Sequence, residues 1–288
     1  MDKNTDFYPN LTLHTSRHTL DFSKPAIMGI LNVTPDSFYD GGRFVEGLSA
    51  VEQAERMVKA GVDIIDIGGM STRPGADIIS PREEMDRVLP VIAEIRVEFP
   101  EMLISIDTVY GRTAREALKA GADIINDVSA GTMDSDIFQA AIDHQAPYIL
   151  MHMQGNPQTM QLEPYYEDVV EEVLTFLSEK TTSLKHHGLQ QVILDPGFGF
   201  GKTLTHNYQL LASFEKFLSL GCPVLAGVSR KSMICKLLHI SPDHALNGST
   251  ALHALLLQKG AHILRVHDVK EAAQTRAIFM AMQNPLGL

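Results

Sequence analysis

Short, continuous apolar runs recur along the chain, and each is followed by a polar turn and a longer amphipathic stretch. Continuous rather than alternating runs are typical of parallel strands buried on both faces, and the amphipathic stretches predict crossover helices. Pro81–Val97 and Tyr165–His187 are the clearest helices, and Ser80 and Glu83 predict a capping box at the start of the first. The predicted strands are Ala26–Val33, Asp63–Ile67, Leu103–Ile106, Ile124–Val128, Tyr148–Met151, Val192–Leu194, Val224–Val228 and Ile263–Val266.

An internal repeat marks the return from helix to strand. Lys59–Asp66 recurs almost unchanged as Lys119–Asn126, and looser copies begin at His187 and Lys259. In each copy a helix ends, a glycine suits the left-handed C-cap, and a strand follows. Eight strand–helix units in 288 residues favour a (β/α)₈ TIM barrel over an open doubly wound sheet. The doubly wound alternative is weakened further because no Gly-x-Gly-x-x-Gly motif follows a strand.

Two additions to the barrel are visible in the pattern. Residues 11–22 alternate between apolar and polar and predict a short N-terminal β-hairpin, which we expect to cover the bottom of the barrel. Ala245–Lys259 predicts an extra helix before the last strand. No linker is visible, so we expect a single domain over residues 1–288, with the barrel at about 25–285.

Composition narrows the class of protein. The formal net charge of −11 argues against general affinity for nucleic acid or an anionic membrane, because both reward a basic surface. No apolar run approaches the length of a membrane span, and the polar N-terminus lacks the apolar centre of a signal peptide. Cys222 and Cys235 match neither a zinc nor a redox spacing, so we interpret them as thiols of a cytoplasmic protein.

Polar residues stand at the carboxyl ends of almost all predicted strands, where barrel enzymes carry their chemistry. Asp107, Asn126 and Asp195 predict hydrogen-bond acceptors that converge on a donor-rich ligand, such as an amino-substituted heterocycle. Their burial costs free energy unless something pairs with them. Asp66 and Asp127 are interpreted instead as turn formers or caps, which single aspartates at strand ends often are.

The turn Ser229-Arg-Lys-Ser232 links the seventh predicted strand to a helix. Ser229 is the predicted N-cap, and the hydroxyl of Ser232 is expected near the free amides of the first turn. Arg230 and Lys231 lie on the unfavourable side of the helix dipole, which favours an anion docked at the helix end. Two solvated surface cations are the alternative.

A second anion site is predicted at the last strand. Arg265 and His267 are two residues apart, so on a strand their side chains share one face. With Asn32 on the neighbouring first strand they predict a cradle for phosphate, whose geometry arginine matches. A core histidine is the alternative for His267 alone.

Three loops are rich in residues that suit an active site. Thr34–Gly42 and Gly68–Ala76 combine Pro, Gly and Asp or Arg, as do both mobile active-site loops and disordered connectors. Gly197–Thr203 resembles a Walker A loop, but proline stands where that motif requires its first glycine, so it is not a P-loop. We interpret it as a close-approach loop, with Phe200 as a stacking surface and Lys202 as an electrostatic contributor.

Four motifs are similar to those of the dihydropteroate synthases and follow the same order. They are Asn32-Val-Thr-Pro-Asp-Ser-Phe38, Gly69-Met-Ser-Thr-Arg-Pro-Gly75, Asp195-Pro-Gly-Phe-Gly-Phe-Gly-Lys202 and Ser229-Arg-Lys-Ser232. The resemblance runs from about Pro25 to the C-terminus. It implies a barrel, usually a homodimer, that joins 4-aminobenzoate to 6-hydroxymethyl-7,8-dihydropterin diphosphate in folate synthesis. The implied products are 7,8-dihydropteroate and diphosphate, and sulfonamides are the implied inhibitors.

The resemblance also implies roles for residues at matching positions. The implied pterin site is Asp107, Asn126, Met151, Asp195 and Lys231. The implied diphosphate site is Asn32, Arg265 and His267, with Asn32 as the protein ligand of Mg²⁺. The implied 4-aminobenzoate site is Phe38, Thr72, Arg73, Pro74, Phe200, Lys231 and Ser232. The implied catalytic residues are Asp40, Arg73, Asp107 and Lys231. Met70 stands where many members have glutamate and is given no role.

The chemistry expected of such a site is a dissociative displacement. Loss of diphosphate leaves a cation delocalised into the pterin ring, and the aminobenzoate amine then attacks. Mg²⁺, Arg265 and His267 are expected to stabilise the departing charge, and Asp107 the ring cation. Asp40 and Arg73 are expected to close over the site.

Three other kinds of protein stay open on the sequence alone. A methyltetrahydrofolate-dependent methyltransferase domain would keep Asp107 and Asp195 but needs no diphosphate cradle. A non-catalytic pterin-binding module would show losses in the two mobile loops. A barrel enzyme for another phosphorylated metabolite would explain phosphate sites at the last two strands, but not the acceptors on the third, fourth and sixth.

Overall fold

The computed structural model describes residues 11–15, 17–33, 49–70, 78–155, 160 and 163–285. In these ranges the strands are β1 (Thr12–His14), β2 (Thr19–Asp21), β3 (Ala26–Asn32), β4 (Ile64–Gly68), β5 (Leu103–Asp107), β6 (Ile124–Asp127), β7 (Tyr148–Met151), β8 (Val192–Asp195), β9 (Leu225–Ala226) and β10 (Ile263–Val266). The α-helices are α1 (Ala50–Ala60), α2 (Pro81–Glu98), α3 (Gly111–Ala120), α4 (Asp136–His144), α5 (Val169–His186), α6 (Leu204–Ala212), α7 (Ser232–Leu238), α8 (Leu246–Gln258) and α9 (Val269–Gln283). Two 3₁₀ helices cover Phe214–Leu220 and Pro242–His244.

Strands β3 to β10 form the predicted (β/α)₈ barrel. They are parallel neighbours in the order β8-β7-β6-β5-β4-β3-β10-β9. A single bridge between Leu194 and Val224 brings the two ends of the sheet together, and Leu194 N donates to Pro223 O at 2.8 Å. At least one helix follows each strand, and α8 is the predicted extra helix before β10.

The interior of the barrel changes character along its axis. Side chains at alternate strand positions point inward, and the inward layer at the amino-terminal end is an apolar cluster. That layer includes Met28, Ile64, Leu103, Ile124, Ile149, Ile193, Leu225 and Ile263. Two positions further along six of these strands, the inward residues are Asp66, Ser105, Asn126, Met151, Asp195 and Arg265. The outward positions pack beneath the helices, so the strands are buried on both faces and the sequence shows continuous apolar runs.

The predicted hairpin closes the apolar end of the barrel. Strands β1 and β2 pair in antiparallel fashion, and Leu13 and Phe22 are buried in the same cluster as the apolar inward layer. His14 and Gln191 exchange two hydrogen bonds between backbone and side chain, which ties the hairpin to the residue before β8. The hairpin therefore covers one end, and the polar end is left for chemistry.

Helix ends follow the predicted pattern, whereas the start of α5 departs from it. The repeat glycines Gly61, Gly121, Gly188 and Gly260 have φ angles of 91°, 122°, 102° and 89°, so each makes the left-handed turn from helix to strand. The start of α5 is later than predicted because Asp168 accepts hydrogen bonds from the first helical amides.

None of the helices in the described ranges is long and apolar enough to cross a membrane.

Helix α2 begins at Pro81 as predicted, but the capping at its start differs from the prediction. Ser80 Oγ accepts from the Glu83 amide at 3.2 Å, as a capping box requires. The Glu83 carboxylate accepts from Arg87 Nη2 at 2.5 Å rather than from the Ser80 amide. Only half of the predicted capping box therefore forms, because the arginine one turn along the helix is the stronger partner for a carboxylate.

Candidate active site

Arg265 is at the centre of the polar layer inside the barrel. Its Nε donates to Asp66 Oδ2 at 2.7 Å, and its Nη2 donates to Asp107 Oδ2 at 2.6 Å. Asn126 Nδ2 donates to the same Asp66 oxygen at 3.1 Å. These four residues lie on β10, β4, β5 and β6, and the barrel brings together side chains that are far apart in the sequence.

Burial and charge act in opposite directions on this network. Burial raises the pKa of Asp107, although the neighbouring Arg265 guanidinium acts to lower it. Burial acts to lower the pKa of Arg265, but the carboxylates of Asp66 and Asp107 outweigh it and raise that pKa. Removing one partner of such a buried pair leaves an uncompensated charge, which costs about 3–5 kcal/mol.

Two buried oxygens beside the network have no hydrogen-bond partner within the described residues. They are Asp66 Oδ1 and Ser105 Oγ, and the two residues are paired in the register of β4 and β5. A buried polar group without a partner costs about 1–3 kcal/mol. The barrel interior therefore has hydrogen-bonding capacity that a polar ligand would use.

A second charged pair lies at the end of β8. Asp195 is buried, and its Oδ1 accepts from the Gly197 amide at 2.7 Å. Burial raises the pKa of Asp195, and Lys231 acts to lower it. Burial lowers the pKa of Lys231 to about 8, and Asp195 acts to raise it. Each side chain therefore stabilises the charged form of the other.

An apolar surface borders the polar layer. Met70, Val109, Val128 and Met151 form a buried cluster, and Phe200 packs against it. A flat heterocycle in the barrel mouth could place its polar edge on the carboxylates and its face on this surface, as small-molecule sites commonly combine the two.

The loop after β8 is wound around the buried side chain of Lys202. Lys202 Nζ donates to Gly197 O at 2.9 Å, Phe200 O at 3.0 Å and His152 O at 3.3 Å. It also lies 3.0 Å from His152 Nδ1. A Cβ on Gly197, whose φ is +70°, would lie 1.9 Å from His152 O. The prediction of a close-approach loop is therefore confirmed, and glycine is what permits the approach.

The prediction that Ser229 is a helix N-cap is wrong. Helix α7 begins at Ser232, Lys231 occupies the N-cap position, and no side chain caps this helix. Ser229 Oγ accepts instead from the backbone amide of His267 at 3.2 Å and lies 3.2 Å from its Nδ1. Ser229 thus joins the loop after β9 to the end of β10.

Arg230 belongs to an ion pair with Asp268 at the start of α9. Its Nε and Nη2 donate to the two carboxylate oxygens at 2.9 and 2.6 Å, in the two-pronged geometry that arginine favours. Its φ of 53° is left-handed, which reverses the chain just before α7. Partnered in this way, Arg230 is not one of two cations gathered at the helix end.

The residues predicted to hold diphosphate lie at two depths. Arg265 reaches inward to Asp66 and Asp107, whereas Asn32 and His267 are exposed at the rim. His267 follows Val266, the last residue of β10, so it lies just beyond the strand on which the prediction placed it. Their shared role in binding diphosphate stays a prediction.

The remaining predicted residues fall into two groups. Phe38, Asp40, Thr72, Arg73 and Pro74 lie outside the described residues. Within the described chain, the barrel mouth carries Asp107, Asn126, Met151, Asp195, Phe200, Lys231, Ser232 and Arg265. Of these, Lys231 Nζ lies 4.5 Å from the centre of the Phe200 ring.

The interpretation of Asp66 as a turn former is wrong, and that of Asp127 is confirmed. Asp127 accepts from the Ser129 and Gly131 amides and from the Tyr148 hydroxyl, so it shapes the turn after β6. Asp66 lies inside β4 and binds Arg265. The sequence signal for Asp66 was its spacing, because it stands two residues after the inward Ile64 and so faces inward itself.

Comparison with known proteins places the chain among enzymes. Residues 28–267 match the model of the pterin binding enzyme family. The chain is 47% identical over 265 residues to dihydropteroate synthase from Escherichia coli (strain K12), a match that covers 91% of this chain and 93% of that protein.

Similar solved structures are also dihydropteroate synthases. Yersinia pestis dihydropteroate synthase in complex with a sulfonamide drug is 42% identical with a TM-score of 0.89, and the match covers 95% of this chain and 99% of that one. Xanthomonas albilineans dihydropteroate synthase with 4-aminobenzoic acid is 40% identical with a TM-score of 0.87, over 96% of this chain and 99% of that one.

The barrel, its polar mouth and the family match define a (β/α)₈-barrel enzyme of the pterin-binding class. Within that class, the chain belongs to the dihydropteroate synthase family and is a transferase.

Proposed function

We propose that the protein condenses 6-hydroxymethyl-7,8-dihydropterin diphosphate with 4-aminobenzoate, giving 7,8-dihydropteroate and diphosphate in folate biosynthesis. The observation that carries the proposal is the inward layer of hydrogen-bonding groups around Asp66, Asp107, Asn126 and Asp195. A pterin ring presents amino and ring N–H donors, which need such acceptors in a buried site. The relatives seen with 4-aminobenzoic acid and a sulfonamide support the second substrate and the inhibitor class.

In this proposal the pterin lies deep in the barrel. Asp107, Asn126 and Asp195 accept hydrogen bonds from the ring, and Lys231 donates to it. Met151 packs against the ring face, since it belongs to the apolar surface beside these groups.

The diphosphate lies above the pterin, near Asn32, Arg265 and His267. Mg²⁺ usually binds proteins through few ligands and takes further oxygens from water and substrate phosphates. Asn32 fits this, because its side-chain amide supplies one oxygen ligand and the residue is exposed at the rim. Asn32 would hold the ion, which when bound would neutralise charge on the diphosphate.

The 4-aminobenzoate binds nearer the rim. Phe200, Lys231 and Ser232 frame it from the loops after β8 and β9, and Phe38, Thr72, Arg73 and Pro74 from the two long loops. Ser232 is exposed at the first position of α7, so its hydroxyl is available to the carboxylate of the substrate. Asp40 and Arg73 are the further residues proposed to act in catalysis.

The chemical step is a dissociative displacement. The bond between the pterin methylene and the diphosphate oxygen breaks, and its electron pair leaves with the diphosphate. Arg265 and His267 offset the charge of the leaving group, while the Asp107 carboxylate stabilises the ring cation. The aminobenzoate amine then attacks the methylene carbon and loses a proton. No enzyme nucleophile is needed.

The test is diphosphate release by the purified protein with both substrates and Mg²⁺. We expect release that depends on 4-aminobenzoate, together with an organic product of the mass of 7,8-dihydropteroate. Release that ignores 4-aminobenzoate, or a product of another mass, would contradict the proposal and reopen the other barrel enzymes.

Two further proposals concern the setting of the enzyme. We place it in the cytoplasm, because Cys222 and Cys235 carry free thiols, as suits a reducing compartment.

We also infer a homodimer that forms through α8 and α9. Leu255, Ile278 and Met282 on these helices are 48%, 73% and 55% exposed and line one apolar groove, and large exposed apolar patches commonly mark interaction surfaces.

A further inference from the structure

We propose that Lys202 and His152 are positioning residues, which hold the loop after β8 in the shape that presents Phe200 to 4-aminobenzoate. This inference rests on the proposed function, since the placement of 4-aminobenzoate belongs to it. Neither residue touches either substrate in the proposed site, so both act through the loop.

The loop is organised by side chains rather than by a strand or helix. Lys202 is 4% exposed, and its ammonium gathers the carbonyls of Gly197, Phe200 and His152 with the imidazole Nδ1. Asn207 Oδ1 accepts from the Gly199 amide at 2.6 Å. Lys202 therefore joins the loop to the end of β7 from within.

Lysine is an unusual residue at a buried position inside a loop. The ion pairs of the described residues do not include Lys202, and burying an ammonium without a bonded carboxylate is costly. Burial accordingly lowers the pKa of Lys202 to about 7, although the Asp195 carboxylate acts to raise it. An apolar side chain would fill the same space without that cost, but it would leave two loop carbonyls and that of His152 without this donor. The arrangement is therefore explained by the geometry that the loop must keep.

His152 is held so that it can accept from Lys202. Its ring lies 5.0 Å from the Phe176 ring at 86° and 6.1 Å from the Tyr166 ring, which fixes its orientation. Burial lowers the pKa of His152 to about 3, and the charge of Lys202 acts in the same direction. The imidazole is thus neutral at physiological pH, and in the tautomer that carries its proton on Nε2 the Nδ1 atom accepts a hydrogen bond from Lys202.

The loop also contacts Lys231, which the proposed function places beside both substrates. Phe198 O accepts from Lys231 Nζ, the Phe200 ring lies 4.5 Å from the same nitrogen, and a Cβ on Gly199 would lie 3.3 Å from Lys231 Cδ. A loop released from Lys202 would move Phe200 first, because Lys231 is also held by the charge of Asp195.

The test begins with Lys202→Met, and Lys236→Met is the matched control because Lys236 is an exposed lysine on α7. We expect Lys202→Met to raise the KM for 4-aminobenzoate about tenfold or more and to change the Kd of pterin diphosphate less than about threefold. Equal losses for both substrates in a folded variant would overturn the proposal. The control is expected to match the wild type in both constants.

Two variants of His152 distinguish the effect of its hydrogen bond to Lys202 from the effect of its side-chain volume. His152→Asn keeps an acceptor close to the place of Nδ1, whereas His152→Leu removes it. We expect His152→Asn to behave like the wild type and His152→Leu to reproduce Lys202→Met. Equal effects of the two on the KM for 4-aminobenzoate would overturn the role of the hydrogen bond, even if Lys202→Met does not fold.

Amide hydrogen exchange without substrates makes the result independent of the enzyme assay. The segment 196–202 is expected to exchange faster in Lys202→Met than in the wild type, while α7 is unchanged. Unchanged exchange in that segment would overturn the proposal. A wild type that lacks 4-aminobenzoate-dependent release would instead contradict the proposed function and leave the exchange result standing.

Discussion

Arg265 shows why a single side chain in this barrel cannot be assigned to one substrate. The resemblance implied a diphosphate ligand, but the guanidinium bridges Asp66 and Asp107 in the layer proposed for the pterin. A residue that binds the leaving group and orders the acceptors beneath it would couple the two binding events. Its first contribution, however, is to neutralise two buried carboxylates.

Replacing Arg265 by methionine should therefore destabilise the fold in a pH-dependent way. Burial raises the folded-state pKa of Asp107 to about 7 although Arg265 acts to lower it, so without the guanidinium this pKa rises further above the unfolded value of about 4. The folded variant then keeps a proton on Asp107 above about pH 7, where the wild type loses it, so the stability of the variant relative to the wild type falls as pH rises through neutrality. Urea unfolding at pH 5 and pH 8 should give a larger loss at pH 8, of about 3–5 kcal/mol.

The exposed Arg112 is the matched control. Arg112→Met is expected to change the free energy of unfolding by no more than about 0.5 kcal/mol at either pH. A loss in Arg265→Met that is the same at pH 5 and pH 8 would mean that the carboxylates do not carry the effect.

A second prediction for a single residue concerns Lys231 and the dependence of activity on pH. Burial lowers its pKa to about 8, so the side chain loses its proton, and its charge, as pH rises through that value. We expect kcat/KM to fall above about pH 8, because a neutral amine is a weaker donor to the pterin and no longer offsets the Asp195 carboxylate. In Lys231→Arg the guanidinium stays charged, so the fall should disappear even though the overall rate is lower. A fall at the same pH in Lys231→Arg would assign the titration to another group.

The residues of the candidate site were only partly predictable, for physical reasons. The positions of Asp107 and Asp195 were predictable, because both end their strands, where a barrel concentrates its chemistry. Asp66 was misread because β4 runs two residues beyond it, and only the strand's true end tells an inward side chain from a turn former. The partner of Arg230 was not predictable from the local pattern, because Asp268 lies 38 residues away in the sequence.

At the scale of elements, the strands were predicted well because burial on both faces leaves a direct mark on the sequence. β9 is the exception, since it covers only Leu225–Ala226 of the predicted Val224–Val228. Beyond it the chain is already turning toward the reversal at Arg230. The helix starts were harder, because they depend on which side chain reaches the free amides, and that competition is settled in three dimensions.

The hairpin formed by β1 and β2 is expected to be a stability element with no part in catalysis. Phe22 is fully buried in the apolar end of the barrel, so Phe22→Ala should lower the free energy of unfolding by about 3–5 kcal/mol. The KM values of the folded variant should match those of the wild type, because the polar mouth lies at the other end. Urea unfolding and steady-state kinetics check the two halves.

The exposed Thr12 on β1 provides the control for this element. Thr12→Ala is expected to leave stability within about 0.5 kcal/mol of the wild type. A change in KM with Phe22→Ala under conditions where the variant is fully folded would show that the two ends of the barrel are coupled, contrary to this division of roles.

At the scale of the whole molecule, the barrel has three separate surfaces with different tasks. The hairpin closes one end, the charged mouth occupies the other, and the apolar groove of α8 and α9 lies on the side. The net charge of −11 contrasts with the local cations Arg265, Lys231 and Lys202. Asp66, Asp107 and Asp195 balance the charges of Arg265 and Lys231, so an anionic substrate meets a mouth in which the charges are already paired.

A substitution in the apolar groove of α8 and α9 tests the proposed homodimer. In a two-fold dimer the same patch meets its own copy, so a charge introduced at its centre is repeated across the interface and would be buried close to its symmetry mate. Ile278→Asp should for that reason shift the sedimenting species from dimer to monomer, with an unchanged circular dichroism spectrum. Val97→Asp is the matched control, since Val97 is an 80% exposed apolar residue on α2, outside the groove. If Ile278→Asp sediments like the wild type at every concentration, the dimer does not form through α8 and α9, and another surface must be sought.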